Sequence, residues 1–200
     1  MVTRHLDLGC GPVPRNPYGR DEAHGIDIAL PEGLDPARFR RANLAIEPIP
    51  HPDSSFDSVS AFDFLEHVPR VLATADGRGT RFPFVELMTE VHRVLKPGGR
   101  FYAVTPGYPR PEAFHDPTHV NPITTGTADY FCGPEPGARM YGFRGRFELL
   151  LNDWVLHPEA LTPGATLGAG RRFKRWRRSL RGGLSHVAWE FACVKDAGRP

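Results

Sequence analysis

The stretch Leu6-Asp7-Leu8-Gly9-Cys10-Gly11 limits what this chain can become more than any other. Apolar residues that end on two glycines one residue apart read as a buried strand feeding a loop, and glycine leaves the main chain open to a ligand's polar groups. In open α/β sheets, ligands settle beyond the carboxyl ends of the strands. The loop then runs into Pro12, Pro14 and Pro17. Proline inside a helix costs about 3 kcal/mol or more, so the helix that ordinarily follows such a loop is expected to be short or missing. Pro14 also stands where a dinucleotide fingerprint has its third glycine, which disfavours a pyrophosphate site. The second constraint is Gly25-Ile26-Asp27-Ile28. An acid that closes the next strand, twenty residues after Asp7, can accept both hydroxyls of a ribose. A nucleoside held without a pyrophosphate is the combination implied.

Strand-like and helix-like segments alternate through the first half, which points to an α/β fold with a mainly parallel sheet. Strands are expected at Arg4 to Leu8, His24 to Ala29, Phe56 to Phe62 and Arg100 to Thr105, with a weak one near Asn43 to Ile46. A short helix is expected over Asp35 to Ala42. Phe84, Leu87, Met88, Val91, Val94 and Leu95 recur at steps of three and four, an amphipathic helix stopped by Lys96-Pro97-Gly98-Gly99. Arg146 to Trp154 and Ser185 to Val194 read as two late strands, with Trp154 and Trp189 as core aromatics.

Two hundred residues with 40% hydrophobic content suit one domain, placed at 1–196 with a loose tail at 197–200. No apolar run approaches a membrane span, and three scattered cysteines suggest neither a disulfide framework nor a zinc site. A cytoplasmic location follows as the expectation.

Five motifs then bring a family into view. Asp7-Leu8-Gly9-Cys10-Gly11, Gly25-Ile26-Asp27, Pro50-His51-Pro52-Asp53-Ser54-Ser55-Phe56-Asp57, Phe64-Leu65-Glu66-His67-Val68 and Glu90-Val91-His92-Arg93-Val94-Leu95-Lys96-Pro97-Gly98-Gly99 occur in this order. Together they resemble the class I S-adenosylmethionine (SAM) dependent methyltransferases, in their small bacterial form. The resemblance implies a Rossmann-like domain with a seven-strand sheet and a reversed late strand, here with an abbreviated first helix and no N-terminal cap. It implies SAM as cofactor. Asp7, Gly9 and Gly11 match the loop that holds its methionine part, with Cys10 filling a small space beside it. Asp27, followed by Ile28, matches the ribose-binding acid. Asn43 and Leu44 fall near the adenine, and Phe62 and Asp63 line the sulfonium and acceptor side. The cover over the cofactor must come from a later loop or from a partner.

Methyl transfer to oxygen or nitrogen can need a base, and histidine is the natural one. His115-Asp116-Pro117-Thr118-His119 follows the fifth strand, where this fold places acceptor contacts. His119 or His115 is the expected base and Asp116 an orienting acid. Together the three are alternatively metal ligands, although no metal is assigned. His67 is expected to orient the loop after the fourth strand, on the substrate side. The expected reaction is O-methyl transfer to a small-molecule, glycan or lipid-linked acceptor. A SAM-binding partner subunit without turnover and an RNA methyltransferase are the alternatives.

Arg171 to Arg181 concentrates seven cations in a chain of net charge +2, so the remainder is net acidic. As a helix it would line up Phe173, Trp176 and Leu180. Three uses are open: covering the sheet, lying peripherally on an anionic membrane, or binding nucleic acid.

Overall fold

The structure is a computed structural model and describes residues 1–29, 32–164 and 168–195; the expected tail at 197–200 lies outside the described residues. Seven strands form one sheet. β1 (Arg4–Leu8) pairs in parallel with β2 (Glu22–Asp27) and β4 (Phe56–Phe62), and β2 carries β3 (Phe39–Arg41) on its outer edge. A two-strand ribbon, β5 (Leu72–Ala73) with β6 (Thr80–Arg81), precedes helix α1 (Pro83–Val94). The chain turns directly from α1 into β7 (Leu95–Pro106), parallel to β4. β8 (Phe147–Val155) leads to helix α2 (Ala169–Leu180), and β9 (His186–Cys193) inserts antiparallel between β7 and β8. The strand order is β3-β2-β1-β4-β7-β9-β8, with the reversed late strand the motifs implied.

Asp35 to Ala42 makes no helix. The N–H of Gly25 donates to Arg38 O, and Gly25, Ile26 and Asp27 pair with Phe39, Arg40 and Arg41. Pairing with β2 overrides the local helical pattern, so the third strand lies earlier than the Asn43 to Ile46 expected, and those residues form a turn instead.

Alternation sorts the strands onto two faces. Leu6, Leu8, Val59, Ala61, Phe101, Ala103, Trp189 and Phe191 pack with Phe84, Leu87, Met88 and Val91 of α1 in one buried cluster. The opposite face carries His5, Asp7, Ser58 and Ser60, all buried. No helix follows β1. The segment 12–21 instead crosses that polar face: Tyr18 Oη donates to Glu190 Oε1 on β9 (3.0 Å), Arg20 Nε donates to Ser58 Oγ (3.3 Å), and the Arg15 guanidinium lies over the Phe62 ring at 4.8 Å.

Helix α2 does form, but it does not cover the sheet. Phe173, Trp176 and Leu180 are exposed, and α2 is tied to the body by Arg175, which donates to Asp153 Oδ2 and Trp154 O.

Candidate active site

The carboxyl ends of β1 and β2 bring a glycine loop and an acid together. Gly9 and Gly11 have φ of +66° and +57°, a region that costs other residues steric strain. A Cβ on Gly9 would stand 2.7 Å from the Phe64 ring, so the glycine also lets the turn after β4 close onto the loop. A Cβ on Gly25 would meet Cys10 Sγ at 2.5 Å, which seats the buried Cys10 against β2. Asp27 receives the N–H of Gly11 on Oδ2 (2.9 Å) and that of Ala29 on Oδ1 (3.0 Å), holding its carboxylate beside the glycine loop. Ile28 is exposed next to it. Asn43 and buried Leu44 follow β3, where Ala42 N–H donates to Asp27 O. Over Gly11, open space meets a positive φ, and the half-buried Asp27 lies alongside; the glycine loop and acid therefore fit a nucleoside-bearing cofactor.

Asp7 is itself almost wholly buried, and the chain takes up both its oxygens: Ser60 Oγ donates to Oδ1 (2.5 Å) and Arg15 N–H to Oδ2 (2.8 Å). Burial pushes its carboxyl up to about 6 despite those bonds. Its part is to brace the loop from below. Phe62 is likewise buried, against Tyr102 and Arg15.

Two imidazole–carboxylate clusters flank the end of β4. In the first, Asp63, at φ +50°, meets His157 Nε2 at 2.7 Å and His186 Nε2 at 3.4 Å. Burial alone would raise the Asp63 carboxyl, but His186 and His157 outweigh it and hold it below the usual range. In the second, Glu66 and His67 share a single 3₁₀ turn with Leu65, and His119 lies across from them. Glu66 Oε2 accepts from Thr105 Oγ1 (2.8 Å), while Oε1 has no hydrogen-bond partner and lies 3.9 Å from His119 Nε2. Burial pushes the Glu66 carboxyl up to about 7. The loop carrying His119 is pinned to this turn, because the N–H groups of Val120 and Asn121 both donate to Glu66 O.

His119 and His67 therefore come together, with ring centroids 4.8 Å apart, and Thr118 Oγ1 links His67 to Asp116. His115 does not join them. It is exposed, and no side-chain hydrogen bond reaches its ring among the described residues. His157 and His186 carry no sequence signal, since only the pairing of Val155 with His186 brings them together. Glu66 is visible within a motif, but its isolation is a product of burial. A cleft of about 760 Å³ borders the same loop at Arg70 and Pro122, lined by Phe82, Phe84, Tyr108, Tyr130, Phe131 and Tyr141. Arg70 reaches Asn121 Oδ1 and Pro122 O, tying the cleft wall to the loop.

A seven-strand sheet of this order, with a glycine loop and ribose-type acid at its carboxyl ends, defines a Rossmann-like nucleoside-cofactor fold. Residues 6–103 match the family model described as a methyltransferase domain, so that span is a methyltransferase domain, and SAM is its cofactor. Solved structures share the fold. A putative methyltransferase from Haloferax volcanii, in complex with the Trm112 methyltransferase activator, superposes with a TM-score of 0.56 at 15% identity, over 96% of this chain and 83% of that one. A SAM-dependent methyltransferase from Archaeoglobus fulgidus gives 0.52 at 16% identity, over 96% and 86%. The 1,6-didemethyltoxoflavin-N1-methyltransferase of Burkholderia thailandensis, with bound S-adenosylhomocysteine, gives 0.51 at 15% identity, over 97% and 72%. No curated protein matches the chain in sequence. No helix among the described residues is long and apolar enough to cross a membrane.

Proposed function

We propose that this methyltransferase acts on an oxygen of a small-molecule, glycan or lipid-linked acceptor. The observation that carries this reading is the pair of imidazole–carboxylate clusters at the end of β4. A hydroxyl must lose its proton as it is methylated, and histidine accepts protons near neutrality. Bound SAM supplies an electrophilic methyl group on a cationic sulfur.

The chain's own residues divide the remaining work between a cofactor half, 1–106, and an acceptor-side half, 107–196. Gly9, Cys10 and Gly11 cradle the methionine end over Asp7. Asp27 and Ile28 take the ribose, Asn43 and Leu44 the adenine side, and Phe62 and Asp63 border the transferred group. His119 with its cluster takes the acceptor's proton, Asp116 and His67 hold the acceptor-side loop, and His115 is an outer contact. The aromatic cleft beside Arg70 and Pro122 would receive the acceptor's apolar portion.

The exposed apolar edge of α2, set among cations, favours an acceptor presented at an anionic lipid surface. The same arginines and Trp176 would suit RNA less directly, through phosphate pairing and stacking. The Haloferax relative, solved with its activator, raises a third reading, in which turnover needs a partner subunit.

Methyl-labelled SAM incubated with separated lipid, glycan, RNA and small-metabolite fractions is expected to label the lipid or glycan fraction. Label in RNA alone rejects the small-molecule, glycan or lipid-linked acceptor, and salt-sensitive pelleting with anionic vesicles tests the role of α2. Asp27→Ala is expected to weaken S-adenosylhomocysteine binding about tenfold or more, since hydrogen bonds to a charged group are worth about 1.5–3 kcal/mol. Unchanged affinity would remove Asp27 from the ribose site.

A further inference from the structure

The side chains around Glu66 are arranged as donors to something that none of them supplies. Glu66 is 1% exposed, and its Oε1 has no hydrogen-bond partner. At 3.9 Å, His119 Nε2 is too far for a hydrogen bond. The separation is instead close to the spacing of two ligands on one metal: bonds of about 2.0–2.2 Å in a tetrahedral site set ligand atoms about 3.4 Å apart.

The second nitrogen of each histidine settles which one is free. His119 Nδ1 lies 3.3 Å from Ala113 O, a group that only accepts, so Nδ1 carries the proton and Nε2 the lone pair. Thr118 Oγ1 donates to Asp116 Oδ1, and so it accepts from His67 Nδ1 at 2.9 Å, again leaving Nε2 with the lone pair. Thr105 likewise engages Glu66 Oε2 and leaves Oε1. Each potential ligand thus has its other polar atom held by a carbonyl, a hydroxyl–carboxylate relay or a hydroxyl. Outer partners of these kinds orient ligands in metal sites. One donor atom from each of Glu66, His67 and His119 lies within 4.8 Å of the other two.

We propose that Glu66, His67 and His119 bind a divalent transition-metal ion of the zinc or cobalt class. Two imidazoles and one carboxylate suit such ions, whereas magnesium and calcium prefer oxygen alone. Asp63 with His157 and His186 is also a two-histidine, one-carboxylate group, but there Asp63 Oδ2 already accepts a hydrogen bond from His157 Nε2 at 2.7 Å, so that nitrogen carries a proton and offers no lone pair to an ion.

Three protein ligands leave a coordination position open. The site's role in turnover rests on the oxygen-acceptor reading: the acceptor hydroxyl takes that position, and the ion makes its proton easier to lose, as it does for bound water. The oxygen then forms the new C–O bond while the methyl carbon–sulfur bond breaks. The electron pair of that bond stays on sulfur and the proton leaves to solvent, so with the ion bound His119 acts as its ligand and no longer as the proton acceptor.

The test titrates the chelator-dialysed full chain with Co²⁺, following its visible absorption and equilibrium dialysis. One Co²⁺ per chain, displaced by Zn²⁺, is expected, with affinity reduced about tenfold or more in Glu66→Gln and in His119→Gln and unchanged in His157→Gln. His119→Gln guards against a folding defect at the more deeply buried Glu66, and a matching thermal melt identifies a folded variant. Co²⁺ binding that is unchanged in folded His119→Gln, or lost in His157→Gln instead, overturns the site. Methyl transfer to nitrogen by a Co²⁺-loaded chain would reject the oxygen acceptor and leave the metal site standing.

Discussion

On the face that carries α1, the central strands present Leu6, Val59, Phe101, Trp189 and Phe191, and dispersion and burial do the holding. On the opposite face the same strands present His5, Asp7, Ser58, Ser60 and Glu190, covered by the proline-rich segment 12–21. There the interactions are directional. Arg20 Nε donates to Ser58 Oγ, which donates to His5 Nδ1 (2.8 Å); His5 Nε2 donates to Ser60 Oγ (2.8 Å), which donates to Asp7. One face is indifferent to pH and sensitive to volume, and the other has the reverse sensitivities. The polar face ends at Asp7 beneath the glycine loop, so the loop rests on the directional side of the sheet.

The largest expected effect lies on the apolar face. Trp189→Ala empties a fully buried site and is expected to cost about 3–5 kcal/mol in urea unfolding, nearly independent of pH. A strongly pH-dependent loss would blur the distinction between the faces.

His5→Gln comes next, at about 2 kcal/mol near pH 7, because it disturbs a buried and fully bonded network. Burial, then Arg20, lowers the His5 imidazole to about 3. A base with a depressed folded pKa binds fewer protons folded than unfolded, so its neutral form supports stability above pH 6.5, and that support drains as pH falls toward 3. The gap between wild type and His5→Gln should therefore narrow over that window in urea melts. Asp7, raised to about 6, has the opposite sign: its protonated form is favoured in the fold, which relieves acid stress between about pH 6 and 4. A gap that stays constant from about pH 7 to 4 would show that His5 is not held neutral.

Tyr18→Phe is the smallest, at about 1 kcal/mol, since it removes one half-exposed hydrogen bond to Glu190. It should also make the segment 12–21 more open to limited proteolysis while leaving the α1 side unchanged. Equal protection of wild type and variant would mean that the segment is held by other contacts.

β1, β4, α1 and β7 were legible because their periodicity and their burial agree. β3 was not: Asp35 to Ala42 has helix-compatible spacing, and only hydrogen bonding to Gly25 makes it extended. The same divide runs through the site. Gly9, Gly11 and Asp27 announce themselves locally, as does the proline run that excludes the first helix. The environment of Glu66 depends on Thr105 and on a loop some fifty residues away, and Asp63 gains His157 and His186 only when β8 and β9 pair. Nor could residue type tell that Phe173, Trp176 and Leu180 would stay exposed.

The bond between Tyr18 and Glu190 joins residues 172 positions apart. During synthesis the segment 12–21 leaves the ribosome long before β9 exists to receive it. The cover of the polar face is thus completed only when β9 arrives, whereas Arg15 and Arg20 engage Asp7 and Ser58 as soon as β1 and β4 have paired, so the glycine loop is braced long before its cover is closed.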